Sequence, residues 1–173
     1  MAIAKLSSTK FKVNLGFLEV ETNWEIDEIQ KKAAWEMYVE LATRITTSEL
    51  KKDEGLLREA LSSLYSIFAT TRGILKKYGP SIATPANPED TTFGHLAVGI
   101  LNKVLRPTLA KWHPILLDWE QQKPSERSTT EHEIQWQFND ELRAELNGIR
   151  LKLIEYANVL GEVSGVANLI EKS

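Results

Sequence analysis

One run of apolar residues constrains this chain more than any other feature. Leu142, Leu146, Ile149, Leu153, Tyr156, Leu160 and Val163 alternate steps of four and three residues. That is the 3.5-residue heptad period, so these positions line one seam of a long helix, and such a seam needs partner helices to cover it. Leu151 and Ile154 add a second apolar edge, which predicts burial over more than the seam alone. The pattern predicts a helix over 131–163, with Gly161 and Gly165 loosening its end.

Three further segments carry helical periods. Thr22-Asn23-Trp24-Glu25 has the spacing of a capping box, and Ile26, Ile29, Ala33, Met37, Leu41 and Ile45 follow it, widened by Ala34 and Tyr38. A second helix is expected over 54–78, with stripe residues Leu57, Leu61, Leu64, Phe68, Ile74, Leu75 and Tyr78. Asp53 and Glu54 at its start and Lys76 and Lys77 at its end suit the helix dipole, and Gly79-Pro80 stops it. A third is expected over 88–120, opened by Asn87-Pro88-Glu89-Asp90, with a kink or break within 103–114 caused by Pro107 and Pro114. Gln121–Thr130 is the expected last loop.

These segments cover about two thirds of the chain, roughly double the share of helix in an average globular protein. The expectation is an all-α single domain over 1–173: an antiparallel, up-down-up-down four-helix bundle over 23–170, with a kinked or broken third helix. Residues 1–22 form an N-terminal arm. Within it Phe11, Val13, Leu15 and Phe17 alternate with polar residues or glycine, the period of a half-buried strand, and no second segment reads as one. A lone strand leaves its backbone groups unpaired, so this one is a candidate interaction strand, pairing with a twin or a partner's sheet edge, or lying as an arm on its own bundle.

Composition narrows the chemistry. The 173 residues include no cysteine, which removes disulfides, thiolate ligands and cysteine nucleophiles. A formal net charge of −3 supplies no global field for nucleic acid, and no nucleic-acid partner is expected. The longest uncharged helical stretches, Ala60–Thr71 and Thr91–Asn102, are too short and too polar for a transmembrane segment. Without a signal-like N-terminus, a cytoplasmic location is expected. There is no GxxxxGK[ST], GxGxxG, GxSxG or HExxH, so no catalytic residue, metal ligand or cofactor is assigned.

Two constellations remain. His95, Asn102, Arg106 and His113, spaced seven, four and seven, share one face of an ideal helix and form a candidate polar site for an anion or a partner's carboxylate. Trp112, Trp119, His132 and Trp136 converge where the third helix ends and the fourth begins, a candidate aromatic end. The expected function is a non-enzymatic interaction module, an adaptor or regulatory component with a protein partner or a second copy of itself. The alternative is a small-molecule or ion sensor using the polar face of the third helix.

Overall fold

The structure, a computed structural model, describes residues 7–14, 19–44, 47–52, 54–166 and 169–170, with backbone alone over 7–14 and 19–25. It is predominantly helical. At the N-terminal side, β1 (Ser7–Asn14) pairs antiparallel with β2 (Glu19–Ile26) in the register Ser7 to Ile26 through Asn14 to Glu19. The backbone of β1 runs alongside the C-terminal helix.

The expected capping box at Thr22 is therefore replaced by strand. The first helix, α1 (Glu28–Ala42), starts later, where the Asp27 side chain accepts the Gln30 amide at 2.7 Å. Thr22 and Trp24 fit a pleated ribbon as well as a cap, because β-branched and aromatic residues favour strands. Of the expected strand residues, Phe11 and Val13 fall within β1; Leu15 and Phe17 lie outside the described residues, as does Ile45.

α1 buries Ala33, Ala34, Met37, Tyr38 and Leu41 completely, while Ile29 turns partly outward. α2 (Leu57–Tyr78) buries Leu57, Leu61, Leu64, Ile67, Phe68 and Ile74. A single 3₁₀ turn, Pro80–Ala83, follows and inserts Ile82 into the core. α3 (Phe93–Gly99) lies against that turn so tightly that a Cβ on Gly94 would stand 2.6 Å from the Ala83 Cβ, so only glycine fits.

The third helical segment differs in start and interior from the expectation. Asn87 and Asp90 close a turn on each other, and the cap is Thr92, whose hydroxyl accepts the His95 amide. α3 passes through a π-helical stretch, Ile100–Leu105, into α4 (Arg106–Gln121). The wide turn sits directly ahead of Pro107. Proline lacks the N–H for the usual i−4 bond and crowds that carbonyl, and one wider turn relieves both. Pro114 is held inside α4.

The expected loop 121–130 and fourth helix are also redrawn. α5 (Thr129–Ile134) opens on a capping box in which Ser128 and Glu131 bond reciprocally. A turn follows, and α6 (Asn139–Ser164) carries the heptad seam, all seven residues of which are buried. α6 ends at Gly165, which takes the left-handed conformation at φ +71°. Leu151, expected to widen the buried face, is 54% exposed. α1 packs on both α2 and α6, and α2 also meets α3 and α4. No described helix is long and apolar enough to cross a membrane.

The heptad reading separates two leucines only two residues apart. Leu153→Ala is expected to cost about 2–5 kcal/mol, the range for a buried leucine, while Leu151→Ala stays within about 0.5 kcal/mol of the parent. Urea unfolding followed by circular dichroism measures both.

Candidate functional site

The four residues of the expected polar face do not share one face. The π-helical stretch lies between His95 and Arg106 and rotates α4 relative to α3. His95 and Asn102 line one shallow depression with Lys103, and the His95 ring meets the Thr92 hydroxyl at 3.1 Å. Arg106 and His113 line another, between α2 and α4. One link across the slip survives, Arg106 Nε donating to Asn102 Oδ1 at 3.0 Å. Arg106 itself is exposed, lying over the Phe68 ring with Cζ 5.3 Å from its centroid.

His113 is held by a network absent from the sequence reading. Arg58, on α2, grips Glu120 with three hydrogen bonds of 2.8–3.1 Å and donates from Nη1 to His113 Nδ1 at 2.8 Å. A guanidinium can only donate, so Nδ1 accepts and the ring proton of the neutral imidazole sits on Nε2. That Nε2 is buried and has no hydrogen-bond partner. Burial first, and the adjacent Arg58 cation second, hold His113 below its ordinary pKa; Glu120 pulls the other way.

The aromatic end resolves into two clusters. Trp112, Trp136 and Phe138 meet edge to face, with centroids 5.7–6.0 Å apart. The Trp112 indole donates to Glu145 Oε2 at 2.8 Å and Thr108 donates to Oε1 at 2.6 Å, which ties α4 to α6. Burial raises the Glu145 pKa, but these two donors and the Lys111 cation outweigh it, and the carboxyl ends below its ordinary value. Separately, Trp119 and His132 stack almost parallel, 4.3 Å between centroids and 5° between planes. Each also bonds the other's backbone: Trp119 Nε1 donates to the His132 carbonyl at 3.0 Å, and His132 Nε2 reaches the Trp119 carbonyl at 2.8 Å. Among the described residues, no three His, Asp or Glu side chains gather to hold a metal ion.

Beside this end lies a buried ionic network that sequence reasoning missed. Glu133 Oε1 accepts from Arg143 Nη2 at 3.2 Å, and Oε2 accepts the Leu57 amide at 2.9 Å. Arg143 further donates to the carbonyls of Lys51 and Glu54 and to Asn139 Oδ1. Asn139 donates in turn to the Glu133 carbonyl at 2.9 Å. The residue ahead of α2 is Leu56, which has no capping side chain, so Glu133 supplies the missing anion at that N-terminus. Burial above all, with the Glu120 charge adding to it, raises the Glu133 pKa against the lowering pull of the Leu57 amide and Arg143. The signal available in sequence was Arg143 itself, a cation one residue from heptad position Leu142.

A small apolar cavity of about 110 Å³ is lined by Leu50 and Leu56, by Leu64 of α2, and by Leu146 and Arg150 of α6.

Two outcomes test these networks. Arg143→Met strands the Glu133 carboxylate and two carbonyls, and is expected to cost about 3–5 kcal/mol at neutral pH. The loss shrinks at mildly acidic pH, because a raised carboxyl pKa favours the folded state only where the group is protonated. Chemical denaturation at both pH values reads the difference. For His113, imidazole NMR should find titration below the ordinary histidine value, so its contribution to stability is present above that value and fades as pH falls through the folded pKa. Arg58→Met moves the titration upward.

Against known proteins, no family model, no curated protein and no solved structure matches this chain.

Proposed function

We propose that the chain is a non-enzymatic protein-interaction module: an antiparallel four-helix bundle carrying an N-terminal extended element through which it self-associates or joins a larger assembly. The bundle reading is supported by four long helical segments, α1, α2, α3 continued into α4, and α6, each contributing buried apolar residues to a common core.

The observation that carries the interaction reading is the two-stranded ribbon β1–β2. Eight residue pairs are in register, and no third strand lies beside them among the described residues. An outer strand edge presents a row of backbone donors and acceptors that pairs readily with another strand. A two-stranded ribbon is marginal alone in water, so added strands would stabilise it. A second copy offers the same edge, and two ribbons meeting about a two-fold axis make a four-stranded sheet without further machinery.

Sedimentation velocity on the full chain is expected to find a dimer or larger species. Removal of residues 1–20 is expected to leave a monomer with an unchanged helical circular-dichroism spectrum. A full chain that sediments as a monomer rules out self-association, and a truncated chain that still dimerises places the contact elsewhere.

A further inference from the structure

The groove between α2 and α4 carries a second feature, on different residues from the ribbon. Its floor is Phe68 and Leu109, both buried, and Tyr65 rises from its edge at 63% exposure. The Tyr65 ring stacks at 30° on Phe68, 6.1 Å between centroids, and meets His113 edge to face at 6.0 Å. Tyr65 is thus an exposed aromatic ring held in place from two sides. Two guanidinium groups border the floor: Arg106, over Phe68, and Arg72, exposed on α2. No carboxylate lines the groove, whose volume is about 330 Å³. The nearest acidic group in this network, Glu120, is engaged by Arg58 in a bidentate pair.

Some surface cations face acids, as Lys77 does Glu36 and Lys111 does Glu141. Here two planar forks border an apolar, aromatic floor, Arg106 lying over Phe68, and no carboxylate is among the described residues that line it. Guanidinium forks match carboxylates bidentately, and aromatic residues beside arginine are the side chains that most often carry binding energy at protein interfaces.

We propose that this groove docks a short acidic segment of a partner protein, with an aromatic or aliphatic side chain seated against Phe68 and Tyr65 and flanking carboxylates held by Arg72 and Arg106. Charge complementarity selects the partner. A polyanion such as nucleic acid needs an extended basic track, whereas here two forks border a largely apolar surface on a net-acidic molecule.

The test uses the full chain and a fluorescein-labelled peptide of alternating Glu and Phe or Leu, followed by fluorescence anisotropy. Saturable binding is expected, lost when the peptide's Glu residues are replaced by Gln. The Arg72→Glu/Arg106→Glu pair is expected to weaken binding by about tenfold or more, and Tyr65→Ala by about severalfold, with helical content unchanged. A peptide bearing Lys in place of Glu should bind the charge-reversed protein better than the parent, a rescue that a merely structural defect would not produce. Absence of binding, equal binding by the reversed protein, failure of the rescue, or equally strong competition by a single-stranded oligonucleotide overturns the proposal. Because the ribbon is untouched, the result is independent of the sedimentation experiment.

Discussion

The arrangement of the helices depends on one buried carboxylate. Glu133, in the short α5, faces the first amide of α2 with one oxygen and the Arg143 guanidinium of α6 with the other. Arg143 then holds the carbonyls of Lys51 and Glu54, in the segment that leads into α2. A single ion pair thereby joins the start of α2, the segment before it, α5 and α6. Burying two charges costs several kcal/mol each unless every remaining donor and acceptor is satisfied, and here neighbouring backbone and Asn139 satisfy them. The gain is positional: apolar packing alone tolerates sliding, while a carboxylate shared between a helix terminus and a guanidinium does not.

The same device recurs at α3. The buried Gln30 side chain of α1 accepts the Phe93 amide at 3.1 Å, adding to the local cap from Thr92. Both helix starts are thus completed from a remote element, by residues lying 76 and 63 positions away. On the opposite flank, Arg44 links α1 to α2 through Glu40, Ser66, Thr70 and the Ser63 carbonyl. Polar ties of this kind join α1 to α2 and α3, and join α5 and α6 to the start of α2.

Periodicity made most of the buried faces legible before any coordinates. The heptad of α6 and the stripe of α2 are buried as their spacing requires, because a helix face repeats wherever the backbone is regular. What escaped were features set by contacts between distant residues. The second strand was hidden because Thr22 and Glu25 satisfy a local cap pattern, and only pairing with β1 decides between the two. The separation of α5 from α6 was hidden because residues 131–163 read as one long helix, whereas a turn divides them and both His132 and Glu133 are buried. The residues of the polar site were aligned on an ideal cylinder, and with the wide turn ahead of Pro107 they divide between two depressions. The residues of the aromatic end fall into two separate clusters, Trp112 with Trp136 and Trp119 with His132, and the Arg58–Glu120–His113 network left no mark in spacing, while the Glu133–Arg143 pair left only Arg143 beside the heptad seam.

The π-helical stretch at Ile100–Leu105 has a bearing on how α3 and α4 are phased. It holds about one more residue per turn than the α-helix on either side, so it works as a phase adjuster between two faces that answer to different neighbours. Closing the stretch into regular α-helix at unchanged length would swing everything beyond it by about 100°, one residue's worth of helix rotation. Trp112 would leave Glu145, and Arg106 and His113 would leave the α2 groove, although no contact residue had changed. The segment thus holds one residue more than a regular α-helix joining the same two faces would need, and the wide turn is what absorbs it.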